Sequence, residues 1–339
     1  MSGIAYRPLG KSGLKVSSIC VGTMMFGGPC PADEAERIVA HAADQGVNFI
    51  DTANTYEKGR SEEVTGKAIA PRRAHWVLAT KLAQPMGPGP NDRGLSRRNM
   101  IQATEASLRR LGTDWIDISY IHRVDPTVPW TEVARTYGDL IREGKIRYWG
   151  LSNVRAWHIP VIVQACRDVG APAPVVLQPY YNIMTRMPEV ELLPAARAFD
   201  LGVATYSPLA RGVLSGKYQP GSNAPPDTRA GRGDRRMMQT EWRPESLAIA
   251  QKLKDHATAR GGSLIGFAVA WVLNNEAVTS VIAGPRTFDQ WQSYLSYVGY
   301  RWNAEDEAIV DALVAPGHPS SPGYTDPEYP VEGRLPRIS

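Results

Sequence analysis

Cysteine is scarce in this chain of 339 residues, with only Cys20, Cys30 and Cys166. They form no Cys-x-x-Cys pair and, being odd in number, cannot all pair with one another, so a disulfide scaffold is excluded. No signal-peptide pattern appears in Met1-Ser2-Gly3-Ile4-Ala5-Tyr6-Arg7, and the expectation is a reduced, cytoplasmic protein. No apolar run reaches the roughly 18 residues of a membrane span. Charge of one sign is also lacking. The formal net charge is +4, with 21 % charged residues, too mild and too dispersed to suggest nucleic acid. No Gly-x-Gly-x-x-Gly turn follows the first strand candidate, which weakens the case for an open doubly wound sheet. No His-x-His opens that strand, and Asp51, His122 and Asp125 make a thin ligand set for a metal hydrolase barrel, so no metal is expected.

What is present is alternation. Apolar, strand-length runs occur at Ser18–Gly22, Val47–Asp51, Trp76–Lys81, Trp115–His122, Ile146–Leu151, Val175–Gln178, Val203–Tyr206 and Thr279–Ile282. Helical periodicity separates most of them: Asp33–Gln45 with an Asp33 N-cap and Gly46 beyond its end, Ser96–Leu111 before Gly112, Trp130–Arg142, Ala156–Val169, Pro188–Phe199, Pro244–Arg260 and Phe288–Val298. Eight strands alternating with helices argue for a parallel α/β sheet, and eight strands can close into a (β/α)8 TIM barrel. With 43 % apolar residues, residues 1–339 read as one barrel domain.

Gly10-Lys11-Ser12-Gly13, before the first barrel strand, has the composition of a β-hairpin turn. Gly10-Lys11-Ser12 also resembles the end of a phosphate loop, but Ala5 stands where the earlier glycine is needed and no strand leads in. Gly216–Trp242, after the seventh strand, is long, rich in Gly and Pro, and basic at Arg229, Arg232, Arg235 and Arg236. Loops of this length are usually functional lids or disordered. The Pro-rich stretch from Pro316 to the end has no helical period and reads either as a solvated tail or as an arm laid over the barrel.

Three strand candidates run directly into Asp51, Lys81 and His122, and Tyr56 follows Asp51 by five residues. In a parallel barrel, strand C-termini converge on one mouth. Each residue alone has a plain reading as a salt bridge, a packed phenol or a core histidine. Together they could transfer a proton. A phenol of pKa about 10 is a weak acid, Lys81 could stabilise its phenolate, Asp51 could hold the lysine, and a neutral His122 could orient a carbonyl oxygen. None of these groups supplies a hydride, so a reduction would require a cofactor, most simply a nicotinamide.

The segments Phe49-Ile50-Asp51-Thr52-Ala53-Asn54-Thr55-Tyr56 and Gly59-Arg60-Ser61-Glu62 resemble the signature of the aldo-keto reductases. So do Ala79-Thr80-Lys81, Tyr120-Ile121-His122-Arg123, Gly150-Leu151-Ser152-Asn153, Gln178-Pro179-Tyr180-Tyr181-Asn182 and Tyr206-Ser207-Pro208-Leu209. The resemblance runs from about Tyr6 to Val298 and looks closest to the aryl-alcohol-dehydrogenase-like and potassium-channel-β-like branches. It implies a (β/α)8 barrel that binds NADPH without a Rossmann domain and reduces a small-molecule carbonyl, an aldehyde or ketone, to an alcohol. By the same resemblance Tyr56 is the general acid, Asp51 and Lys81 tune it, and His122 orients the carbonyl. Homo-oligomerisation is open.

The resemblance also implies cofactor contacts. Gly22, Thr23 and Met24 would lie near the nicotinamide side, Ser152, Asn153 and Gln178 would hold the carboxamide, and Tyr206 would stack on the ring. Ser207, Pro208, Leu209, Arg211, Gly212, Gly216 and Lys217 would form the pyrophosphate loop, with Arg229 as a second clamp. Gly284, Arg286, Gln290 and Ser293 would take the adenosine end, where a guanidinium at Arg286 suits a 2′-phosphate. Tyr294 stands where asparagine is common at the adenine edge, which favours stacking there. His122 stands where the channel-β branch commonly carries asparagine, which favours an enzyme over an NADPH-binding, redox-sensing regulatory subunit. Specificity is expected from the loops after strands one, four and seven and from the tail, with Phe26, Trp130, Trp149, Trp157 and Tyr324 as candidate walls, although tryptophans on an α/β barrel are more often packing. Aromatic walls fit an aryl aldehyde or bulky cyclic ketone, but also many sugars.

Overall fold

The chain opens with a short antiparallel pair, β1 (Tyr6–Pro8) and β2 (Lys15–Ser17). The computed structural model describes residues 3–331. Eight parallel strands follow: β3 (Ile19–Gly22), β4 (Phe49–Asp51), β5 (Val77–Leu82), β6 (Ile116–Ile121), β7 (Ile146–Ser152), β8 (Val176–Gln178), β9 (Gly202–Tyr206) and β10 (Ser280–Ala283). They close into a barrel, β10 pairing with both β9 and β3. The (β/α)8 expectation holds, with strand limits within two residues of those read from the sequence.

Helices surround the strands: α1 (Ala32–Asp44), α2 (Arg60–Ile69), α3 (Arg97–Leu111), α4 (Trp130–Arg142), α5 (His158–Val169) and α6 (Leu192–Ala198), then α7 (Arg235–Thr240), α8 (Pro244–Ala259), α9 (Leu264–Asn274), α10 (Phe288–Tyr294) and α11 (Ala304–Leu313). The Ser96 side chain accepts from Asn99 N, and Gly112 closes α3 in a left-handed conformation at φ 61°, an N-cap and C-cap of the expected chemistry. The expected Asp33 cap is not made. α1 begins one residue earlier after Pro31, whose φ of −60° suits a helix start, and Asp33 becomes a first-turn acid.

Two cores result. Inside the barrel, Cys20, Phe49, Val77, Ala79, Ile118, Tyr120, Val176, Ala204 and Ile282 pack on Leu9 and Val16 of the N-terminal hairpin. The turn at Gly10 faces Asp200 O and Gly202 N, so closely that a Cβ there would lie 2.5 Å from the Asp200 carbonyl oxygen. The hairpin therefore plugs the barrel beneath the N-terminal ends of β8 and β9, opposite the strand C-termini. Outside the barrel, strands and helices share the larger apolar layer. Trp149 of β7, stacked on Tyr137 of α4 at 4.5 Å, is representative.

The tail is laid over the molecule. Ser320 N donates to Met184 O at 2.9 Å, Arg236 forks onto Asp326 at 2.9 and 2.6 Å, and Arg155 Nη2 donates to the Tyr329 and Pro330 carbonyls at 3.0 and 2.7 Å. Of the stretch read as an arm or a tail, residues 332–339 lie outside the described residues.

Candidate active site

The C-terminal ends of β4, β5 and β6 deliver Asp51, Lys81 and His122 to one end of the barrel, as parallel strands must. Lys81 Nζ forms an ion pair with Asp51 and donates to Thr52 O at 2.8 Å and to Tyr56 OH at 3.1 Å. Gln178 Nε2 donates to the other Asp51 oxygen at 2.9 Å. Tyr56 is carried by a turn whose next two residues are left-handed, Glu57 at φ 47° and Lys58 at φ 57°. Its ring meets His122 edge-on, 5.9 Å between centroids. Backbone strain of this kind needs support from the surroundings, and the buried Glu62, which accepts from Thr80 and Arg110, anchors α2 immediately after the turn.

Electrostatics sharpens this arrangement. Burial opposes the Lys81 charge, but Asp51 and Tyr56 outweigh it and hold the ammonium above its ordinary pKa. Burial raises Asp51, while Lys81 and Gln178 pull it back. The Tyr56 phenol departs from expectation. Burial raises it and Lys81 lowers it, but the net direction is upward because Asp51 adds to the burial cost. The phenol is therefore held protonated, with the ammonium 3.1 Å away to receive the charge once the proton leaves. Burial, Lys81 and Arg123 push His122 down to about 3, so its imidazole is neutral.

Above this cluster lies a cavity of about 560 Å³, within the size range of ligand sites. Its wall contains Asp51, Tyr56 and His122, together with Gly22, Thr23, Met24, Ser152, Asn153, Gln178, Tyr206, Ser207, Pro208, Leu209, Arg211, Gly212, Lys217, Arg229, Gly284, Arg286 and Gln290. Lys81 lies beneath this wall, buried. Two expected contacts lie elsewhere. Gly216, at φ 75°, ends the 210–215 turn and faces the Lys254 side chain. Ser293 turns its hydroxyl to Asp289 O within α10.

The remaining wall suits a long anionic ligand. Burial and the neighbouring Arg286, Arg229 and Arg232 lower the Lys217 ammonium, a sign of unneutralised positive charge. Asp227 offers only partial relief, its backbone oxygen accepting from Arg286 Nη1 at 3.1 Å. Tyr206 stacks on Tyr180 at 5.3 Å and donates its hydroxyl to Asn153, leaving an aromatic face fixed in the wall.

The expected aromatic walls are elsewhere. Phe26 is fully buried, and Trp149 packs between β7 and α4. Trp157 stacks on His158, which Trp130 meets edge-on. Tyr324 lies under the Arg243 guanidinium. None of them belongs to the cavity wall, whereas Gln84, Tyr294, Glu328 and Tyr329 do. Tyr329 carries no local signal. It reaches the mouth only because the tail crosses α7. Gln84 was readable in principle, three residues after Lys81. Asp125 is committed to its own loop region, accepting from Leu95 N, Thr127 N and the Thr127 hydroxyl.

Comparison with known proteins agrees with this architecture. A family model described as the aldo/keto reductase family matches residues 18–315. The chain is 39 % identical over 299 residues to a probable voltage-gated potassium channel subunit beta of Arabidopsis thaliana, covering 86 % of this chain and 90 % of that one. The corresponding protein of Oryza sativa subsp. japonica is 39 % identical over 285 residues, covering 82 % and 86 %. An uncharacterized oxidoreductase, YrpG, of Bacillus subtilis is 36 % identical over 331 residues, covering 94 % and 99 %.

Proposed function

Since the chain belongs to the aldo/keto reductase family, whose chemistry is nicotinamide-dependent oxidoreduction of carbonyls, we propose that it is an NADPH-dependent reductase of an aldehyde or ketone with Tyr56 as general acid. The observation that carries this reading is the chain of contacts from Gln178 through Asp51 and Lys81 to the Tyr56 hydroxyl, beside a neutral imidazole.

Nicotinamide, when bound, supplies the hydride. The residues present fit it: Ser152, Asn153 and Gln178 offer amide and hydroxyl groups to the carboxamide, and Tyr206 offers a fixed ring face. Ser207 to Gly212, with Lys217 and Arg229, suit the pyrophosphate, and Arg286 suits a 2′-phosphate. The chain's own work is proton chemistry. A carbonyl oxygen between Tyr56 and His122 would accept hydrogen bonds from both. As negative charge develops there, the phenol gives up its proton and Lys81 stabilises the resulting phenolate. Asp51 keeps Lys81 charged and aimed.

Tyr329 and Met24 form apolar parts of the mouth, which fits an aryl aldehyde or bulky cyclic ketone. We read residues 1–339 as one barrel domain with an extension from about 316. The three free, buried cysteines fit a reducing compartment such as the cytoplasm.

A second reading, an NADPH-binding regulatory subunit with weak turnover, is favoured by the similarity to the two plant proteins named as probable potassium channel beta subunits. The test is NADPH consumption across a panel of aldehydes and ketones, wild type against Tyr56→Phe. Turnover that collapses in the variant with cofactor affinity kept supports the reductase. Tight NADPH binding with no turnover on any carbonyl would favour the regulatory reading.

A further inference from the structure

One buried carboxylate plays no part in this chemistry. Glu241, just beyond α7, has no solvent exposure, yet neither of its carboxylate oxygens has a hydrogen-bond partner among the described residues. Two residues on, Arg243 has Nε and Nη1 buried and unpartnered as well. Its Nη2 donates to Ser320 Oγ at 3.3 Å, and its guanidinium lies 3.8 Å from the centre of the Tyr324 ring. Unpaired polar groups without water are costly, and an ionised one costs most.

The C-terminal tail closes over this spot. Tyr324 OH donates to Gln239 O at 3.4 Å, Asp326 pairs with Arg236 of α7, and Ser321 Oγ donates to Glu245 of α8 at 3.1 Å. The charged and titratable groups facing Glu241 are Arg243 from its own turn and Tyr324 and Asp326 from the tail. Two and three residues past Asp326, the same tail puts Glu328 and Tyr329 into the cavity wall.

We propose that Glu241 is a positioning residue for the substrate side of the cavity: its neutral form seats the tail against α7, and its ionised form loosens the tail and withdraws Tyr329 from the wall. Opening would return water to the carboxylate and separate it from Asp326. Arg243 opposes this by attraction, but without a hydrogen bond to the carboxylate. Burial, aided by Asp326 and resisted by Arg243, raises Glu241 to about 7 in the seated state. The tail is then most firmly seated below the ordinary carboxylate pKa. Seating weakens as pH rises toward 7 and stays weak above it. The role of Tyr329 as a substrate wall rests on the reductase reading, whereas the seating of the tail does not.

Hydrogen exchange of the full chain tests the seating directly. Tail peptides within 318–331 would be followed from pH 5 to pH 8, with rates corrected for the intrinsic pH dependence of exchange, in wild type and Glu241→Gln. The expected result is protection that falls on the order of tenfold or more across this range in wild type and stays high in the variant. Glu241→Met, uncharged and of similar length, serves if glutamine disturbs the fold. In parallel, the carbonyl KM should rise with pH in wild type only, with kcat little changed. A wild-type tail indifferent to pH, the same pH dependence in both proteins, or a variant tail unprotected at every pH would each overturn the proposal. Failure of Tyr56→Phe to abolish turnover would instead strike the reductase reading and leave the exchange result standing.

Discussion

The Tyr206 hydroxyl donates to Asn153 Oδ1 at 2.9 Å, while the nitrogen of the same amide donates to the His122 carbonyl at 2.8 Å. One side chain thus ties the tops of β6, β7 and β9 together, from a backbone held at φ 55°. Asparagine tolerates that conformation better than most residues. The ring of Tyr206 is therefore set before any ligand arrives. Tyr206→Phe keeps the ring and loses a neutral hydrogen bond of about 1 kcal/mol. NADPH binding, followed by fluorescence titration, should weaken about fivefold. An unchanged Kd would mean that stacking on Tyr180 alone seats the ring.

Lys81→Met leaves Asp51 buried beside Gln178 without its cation. Breaking a buried ion pair from one side typically costs about 3–5 kcal/mol, which urea unfolding would register. Asp51→Asn keeps an acceptor for Lys81 and should cost less. Both variants should lower kcat by at least about a hundredfold, since both disturb the group that stabilises the Tyr56 phenolate. A Lys81→Met protein with wild-type kcat would remove Lys81 from the mechanism.

The strand tops were legible because a buried parallel strand is an unbroken apolar run, and such a run ending in Asp51, Lys81 or His122 marks its own C-terminus. α9 was not read because Leu264–Asn274 is buried nearly all round and so has no polar face to set a period. α11 does carry a local signal, the Asn303–Asp306 capping box. The tryptophans are ambiguous for a different reason. Sequence marks them as large and apolar, but β7 directs Trp149 outward to α4, away from the barrel mouth. Tyr329 depends on the path of an aperiodic tail, which no local pattern encodes.

His122 carries a pH signature with a definite sign. Its pKa is about 3 in the folded protein and about 6.5 in the unfolded chain. Between these values the unfolded chain binds a proton that the folded protein does not. The associated stability is complete above pH 6.5 and declines as pH falls, by at most about 1.4 kcal/mol per unit. Urea midpoints measured from pH 7 to pH 4 should fall less steeply in His122→Asn than in wild type. Parallel curves would assign the acid sensitivity to other groups.

Arg286 should distinguish the two nicotinamide cofactors. Its guanidinium is only lightly engaged, Nη1 donating to the Asp227 carbonyl at 3.1 Å and Nη2 standing 4.0 Å from the Asp227 carboxylate. A 2′-phosphate would provide a stronger, charge-assisted partner. With about 1.5–3 kcal/mol for such a bond, Arg286→Ala should weaken NADPH binding about ten- to a hundredfold and NADH binding hardly at all. Equal losses for both would show that Arg286 does not read the phosphate.

Tyr329 divides substrate recognition from cofactor recognition. Arg155 fixes its carbonyl at 3.0 Å, so removing the ring leaves the backbone path of the tail anchored. The Arg236–Asp326 pair that joins the tail to α7 is likewise untouched. Tyr329→Ala should therefore leave the NADPH Kd unchanged while raising KM for bulky aromatic carbonyls more than for small aliphatic ones. Burial of a large side chain against a ligand is worth about 1.5–3 kcal/mol, so partial loss of that contact predicts a shift of about tenfold. A uniform change across the panel would place the substrate away from the tail, against Met24 and Gln84 on the opposite loops.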